Sequence, residues 1–292
     1  MLVGVSSWDW PDRPGPPTLQ GVTPDARRKR RLAALGTFLA VSIGLSFLAI
    51  PFLSGFVARF VPASVEATIG AQMIDELGKE TDFCQESEGL QALDILVEAL
   101  AAQTDGTYEF RVYIADQELL NAFAAPGGHI VLYRSIVEEA GSAEEIAGVL
   151  AHEMAHVTNG HPARGMVEAM GYGVFRLFTV DDSMGAELVK STVVNHYSRE
   201  DELEADRSGV DLLNAANMDS RGLLAFFDRL SDRGQEIPGA LEFLSTHPSG
   251  ETRKSALENY VSEAKPVLTD AQWKALRTVC QETGPAVYVG PG

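Results

Sequence analysis

His152 and His156 stand four residues apart, with Glu153 directly after the first, in the stretch GVLAHEMAHVTNGH at 148–161. On an α-helix this spacing puts both imidazoles on one face, one turn apart, where they can hold a single metal ion. Glu153 is rotated by about 100° from His152, so it lies beside such an ion rather than on it. A carboxylate in that position suits proton removal from a metal-activated water. The set is incomplete, because a catalytic zinc takes three protein ligands. The third should be a Glu, Asp or His on another helix. NHYSREDELEADRSGVDLL at 195–213 offers Glu202 and Asp206, four apart and so on one helical face. A carboxylate would offset the charge of zinc held by two neutral imidazoles, and a second acid could orient one imidazole through its other nitrogen. Taken alone, so acidic a helix is usually a solvated surface.

These residues depend on the elements that carry them. GSAEEIAGVLAHEMAH opens on Ser142 as an N-cap, with Glu145 three residues on as a capping box, and Gly160 supplies a stop. Apolar spacing predicts helices over 64–80 and 88–102, and then at about 134–140, 142–159, 162–178, 185–197, 199–216, 219–233, 249–264 and 269–281. YEFRVYIA (108–115) alternates and is rich in aromatic and β-branched residues, so it reads as a strand. LLNAFAAPGGHIVLY (119–133) reads as strand, Pro-Gly-Gly turn, strand. The fold class is therefore α+β and mostly helical, with a small sheet early in the domain.

Charge separates the chain into two parts. Residues 1–62 hold seven Lys/Arg against three Asp/Glu, whereas the remainder holds 16 basic and 38 acidic residues. So acidic a body excludes nucleic acid as a partner, since phosphate binding needs a basic surface. Residues 1–31 read as a disordered, basic N-terminal segment, ending in the run Arg27–Arg31. From Leu32 to Ala58 there is no charge over 27 residues, enough for one transmembrane helix. The basic run before this anchor keeps the N-terminus cytoplasmic and exports a domain at 62–292. Cys84 and Cys280 are the only cysteines, and both fall in the exported part. An even pair in an oxidising compartment suggests one disulfide; the alternative is two separate buried thiols.

HEMAH (152–156), followed about 45 residues later by SREDELEADRSG (198–209), resembles the HtpX, BepA and CAAX-prenyl-protease family of zinc metallopeptidases. The family's Glu-x-x-Ala-Asp pattern falls on Glu202 to Asp206. The resemblance thus implies a zincin-like domain with one zinc ion held by His152, His156 and Glu202, Asp206 behind them, and Glu153 as the base. NAFAAPGGHIVL (121–132) looks like the family's substrate-side edge strand, which implies peptide binding along Asn121, Ala122, Phe123 and Ala124 through main-chain hydrogen bonds. STHPSGETR (245–253) looks like its late His-Pro…Arg element and puts His247 beside the metal, as a donor to the oxyanion or as a plug on the open zinc position. Arg164, Glu168 and Arg176 interrupt the apolar segment 162–178, so the chain looks more like the family's single-anchor members. The resemblance implies a zinc endopeptidase acting on unfolded or flexible protein segments, in envelope protein quality control. The alternative is a catalytically silent zinc-containing chaperone or assembly factor. Of the other histidines, His161 reads as a capping or surface residue, His129 as exposed in the hairpin, and His196 as packing.

Overall fold

A computed structural model describes residues 24–176, 197–233, 247 and 251–290. The expected helix at 185–197, apart from Tyr197, lies outside the described residues, as do His196, residues 234–246 and most of the N-terminal segment. The chain divides into two compact units, residues 1–49 and 50–292. α1 (Pro24–Ala58) starts in the first with the basic run, and its Leu35, Phe38 and Leu45 are exposed. No single helix among the described residues is long and apolar enough to cross a membrane. A bent pair within α1, Arg27–Ser46 and Leu48–Ala58, passes by length and composition. Pro51 explains the bend: it has no N–H for the carbonyl four residues earlier, and its ring crowds that carbonyl.

The second unit is built on a five-stranded sheet of order β3-β4-β2-β1-β5. The strands are β1 (Phe83–Cys84), β2 (Arg111–Ala115), β3 (Ala122–Ala124), β4 (His129–Tyr133) and β5 (Thr283–Gly284). β2 and β4 are parallel and the other pairs antiparallel, so β4 lies inside the sheet and β3 at its edge. The period of two sorts the side chains between faces. Val112, Ile114, Ile130 and Leu132 enter the main core, whereas Tyr113, Phe123, Val131 and Tyr133 join a smaller cluster with Ile74 of α2 (Ala63–Leu77). The β3–β4 turn needs its glycines, with φ of 75° at Gly127 and 91° at Gly128. A Cβ on Gly127 would also lie 2.2 Å from the Ala67 backbone, so α2 sits directly on the turn.

The main core joins the sheet to α3 (Ser87–Ala101), α5 (Ala143–Thr158), α8 (Arg221–Arg233) and α10 (Asp270–Arg277). Between β4 and α5 lies the short α4 (Arg134–Glu139), and α6 (His161–Arg176) follows α5. α7 (Arg199–Ala215) precedes α8, and α9 (Glu251–Leu257) precedes α10. α5 is buried on every side. The Ser142 hydroxyl caps it by accepting from the Glu145 amide. Glu145 does not complete the capping box, because its carboxylate takes the Gly141 amide and the Arg229 guanidinium instead. Small residues let neighbours close in: a Cβ on Gly209 of α7 would lie 3.1 Å from the backbone of Ala151 and His152. Within α6, Arg164 pairs with Asp201 and Glu168 accepts from the buried Ser54 hydroxyl. α9 ends at Leu257, short of the expected 264. Cys84 of β1 and Cys280, in the turn after α10, are joined as a disulfide with Cα atoms 4.4 Å apart.

Candidate metal centre

α5 and α7 bring the candidate ligands together inside the protein. His152 and His156 project from one face of α5, their Nε2 atoms 3.0 Å apart. Glu202, in the first turn of α7, places Oε2 3.5 Å from His152 Nε2 and Oε1 3.4 Å from His156 Nε2. Donors about 2.0–2.1 Å from a tetrahedral zinc stand about 3.3 Å from one another, so these three atoms fit one zinc ion in spacing and in chemistry. All three residues are buried. α7 is started by a capping box between Ser198 and Asp201, which fixes the turn that carries Glu202.

A second layer of contacts holds the donors. Asp206, one turn after Glu202, has Oδ1 3.1 Å from His152 Nδ1. Arg253 donates to both Asp206 oxygens at 2.6 Å and lies 2.8 Å from Glu202 Oε2, with its guanidinium over the Phe227 ring. Tyr197 stacks on the His156 ring at 3.8 Å and donates its hydroxyl to the Ala124 carbonyl. His247 Nδ1 is 3.3 Å from His152 Nε2 and 3.1 Å from Glu202 Oε1. Its Nε2 lies 3.4 Å from the Ala122 carbonyl and 3.7 Å from Glu153 Oε1. His247 thus lies between the three donors and the edge strand.

Electrostatics follow from burial and pairing. Burial would depress His152, but the Asp206 and Glu202 carboxylates raise its pKa to about 10. Burial dominates at His156 and pulls its pKa well below the ordinary value. Burial also opposes ionisation of Glu202, yet His247 and the two α5 histidines hold its carboxyl well below the usual range. Asp206 is likewise lowered against its burial, chiefly by Arg253. Glu153 differs: burial pushes its pKa up, against smaller opposing pulls from His247, His152 and the Ala124 main chain. Neither of its buried carboxylate oxygens has a partner at hydrogen-bond geometry among the described residues.

The edge strand divides the four candidate substrate residues. The Asn121 carbonyl accepts from Tyr133 and the Ala125 amide donates to His129, so this alternate set faces β4. The Phe123 side chain points into the smaller core. The main chain of Ala122 and Ala124 therefore faces outward, and their carbonyls meet His247 and Tyr197.

Two histidine expectations are corrected. His161 is buried rather than a surface cap: Gly160, at φ 73°, ends α5 and lets α6 start at once, folding His161 back until its Nδ1 is 2.8 Å from His156 Nδ1. His129 is buried beneath α2, its Nδ1 3.2 Å from the Tyr113 hydroxyl. Sequence reasoning missed Tyr197, His161 and Phe227 as neighbours of the site. Nothing in their spacing marks them, because each is delivered from a different element.

Residues 90–261 match Peptidase family M48, more than half of the chain. The chain belongs to peptidase family M48. His152, Glu153, His156, Glu202, Asp206 and His247 all fall within the matched segment. The beta-barrel assembly-enhancing protease of Yersinia pestis is 29% identical over 172 residues, covering 54% of this chain and 35% of that protein. The protein of that name from Escherichia coli (strain K12) is 25% identical over 177 residues, 56% of this chain and 36% of its own length. The mitochondrial metalloendopeptidase OMA1 of Arabidopsis thaliana is 30% identical over 172 residues, 56% of this chain and 34% of its own. The matches span about a third of these relatives' lengths.

Proposed function

We propose that this M48 chain is a zinc-dependent endopeptidase that cleaves unfolded or flexible protein segments. The observation that carries the proposal is the meeting of His152, His156 and Glu202 at zinc-ligand spacing, with the Glu153 carboxylate uncommitted beside them. His152, His156 and Glu202 would hold the ion, with Asp206 orienting His152 through Nδ1 and Arg253 holding Asp206. When bound, zinc supplies a water of pKa about 7 and polarises the scissile carbonyl. Glu153 takes the proton onto a carboxylate oxygen and returns it to the leaving amine. A carboxylate whose pKa burial has raised is suited to carry that proton between the two steps. Substrate adds a strand to β3, pairing with the outward main chain of Ala122 and Ala124. Such pairing reads backbone rather than side chains, so it selects extended segments.

Placement rests on the N-terminal part. The basic run at the start of α1, ahead of its apolar stretch, supports a single anchor with the N-terminus cytoplasmic and the catalytic unit exported. The role proposed for it is envelope protein quality control, in keeping with relatives named as a beta-barrel assembly-enhancing protease and a mitochondrial metalloendopeptidase. A silent chaperone or assembly factor retaining the centre is the second reading, and it is separated from the first by whether the zinc-loaded wild type cleaves and Glu153→Gln does not.

The ligand assignment has its own test. Glu204 is about 200° around the helix from Glu202, and it is exposed beside His161. Glu202→Gln should weaken zinc binding more than about 100-fold, beyond the range of changes behind the ligands, and Glu204→Gln should leave it near wild type. Chelator competition on the full chain reads both, and equal losses would place the ligand face wrongly.

His247 admits two roles of opposite sign. Its Nδ1 lies as close to His152 Nε2 and Glu202 Oε1 as the three donors lie to each other, which favours a plug that holds the resting enzyme latent. His247→Ala should then raise basal peptide cleavage several-fold at constant zinc content. A fall of about 10²-fold would instead assign His247 as a donor to the oxyanion. Unchanged proteolysis would sink both roles.

A further inference from the structure

We propose that His161 is a positioning residue that fixes the tautomer of His156, through a hydrogen-bonded line ending on the Asp201 and Glu204 carboxylates. The inference rests on the metal centre being a zinc site and extends it to a residue outside the ligand set.

Only certain placements of the protons are compatible with this geometry. His156 Nδ1 and His161 Nδ1 are 2.8 Å apart and both rings are buried, so a hydrogen lies between them. His161 Nε2 faces Asp201 Oδ1 at 3.5 Å and Glu204 Oε2 at 3.4 Å. Suppose the shared hydrogen belonged to a neutral His161 ring. Its Nε2 would then carry a lone pair toward two carboxylates, and His156 would carry its own hydrogen on Nε2, aimed at His152 Nε2 only 3.0 Å away. That arrangement is repulsive at one end and useless for metal binding at the other. In the opposite arrangement His161 Nε2–H points at the acids and His161 Nδ1 accepts from His156 Nδ1–H. The lone pair of His156 Nε2 is then free for the ion. The carboxylates thus select the ligating tautomer from two residues away.

The line is anchored. Asp201 accepts from the Ser198 amide at 2.9 Å and pairs with Arg164, so it is fixed in the first turn of α7. That turn also delivers Glu202, so one helix end sets both the third donor and the orientation of the second. Tyr197, stacked 17° from coplanar on His156, holds the plane of the ring. His152 differs in kind, since its Nδ1 faces an acid directly. The two imidazoles of the centre are therefore oriented by partners of different charge.

The test uses the full chain in detergent with two variants. His161→Phe keeps a ring of similar size and removes the acceptor. His161→Asn offers an amide oxygen near the position of Nδ1 and keeps an acceptor. Zinc affinity should fall about 10–100-fold in His161→Phe and stay within about threefold of wild type in His161→Asn. In the zinc-free wild type, ¹⁵N shifts should report His156 protonated on Nδ1, and in His161→Phe they should report a mixture. Unchanged affinity in a His161→Phe chain that unfolds as cooperatively as wild type would overturn the proposal. So would equal losses in both variants, which would mean packing alone, or His156 protonated on Nε2 in wild type. If His161→Phe fails to fold, the wild-type tautomer decides. Failure of the wild-type chain to bind zinc would defeat the metal-centre reading, with the tautomer measurement still deciding the hydrogen-bonded line.

Discussion

Glu153→Gln should lower turnover of casein or a model peptide by about 10²–10⁴-fold while one zinc per chain remains bound. Glutamine keeps the shape of the side chain and removes only its capacity to take a proton. Glu153 sits wholly inside the protein, and its oxygens are committed to no other group at hydrogen-bond geometry among the described residues. A buried acid so placed contributes little to packing that its amide would not. The expected loss is therefore in the chemical step, with zinc content and thermal unfolding near wild type. Loss of zinc alongside activity would show Glu153 to be part of the binding shell. A wild-type chain that holds zinc and cleaves nothing would favour the silent assembly factor.

Breaking the Cys84–Cys280 bridge is the second large effect. The two residues are 196 apart in sequence, so the bridge closes most of the second unit into one loop. For a loop of that length the chain-entropy account puts the stabilisation at ~5 kcal/mol. The bridge also fastens β1, which pairs with β5 through only two residues. Cys280→Ser, or reductant added to wild type, should lower the unfolding free energy read from urea denaturation by an amount approaching that figure. Mass mapping without reductant should find the cross-linked peptide. Free thiols at both positions in protein from its native compartment would overturn the bridge, and with it part of the case for an exported domain.

The residues that were legible in sequence are those whose position follows from one periodicity. His152 and His156 share a face because both lie on one continuous helix, and Glu202 and Asp206 do so on another. The helix positions along 63–101 and 134–158 follow from apolar spacing for the same reason. What escaped depends on contacts between elements. β1 and β5, two residues each, are too short for any alternation to register. That β4 runs parallel beside β2, leaving β3 at the edge, is set by packing on α5 and not by the turn. His129 and His161 both follow turn glycines, where polarity suggests exposure, yet α2 covers one and the abrupt start of α6 buries the other. Arg253 lies in a recognisable segment, but its hold on Asp206 and Glu202 needs α9 docked against α7.

Gly209 reduces the spacing between two helices to the room taken by one hydrogen atom. A methyl group there would press on the main chain of Ala151 and His152, and the two helices would have to give by a few tenths of an ångström at the turn after Glu202 and Asp206. Main chain against main chain is a stiff gauge, unlike two flexible side chains that adapt to each other. The donors are thus in register before any ion arrives, and little ordering is left for capture to bring about. Zinc fingers stand at the other extreme, where the chain is unfolded until the metal comes. Here the ion could be withdrawn and returned while the polypeptide keeps its shape. On the proposed zinc reading, the competence of a given molecule would depend on metal supply at that moment, independently of its folding history.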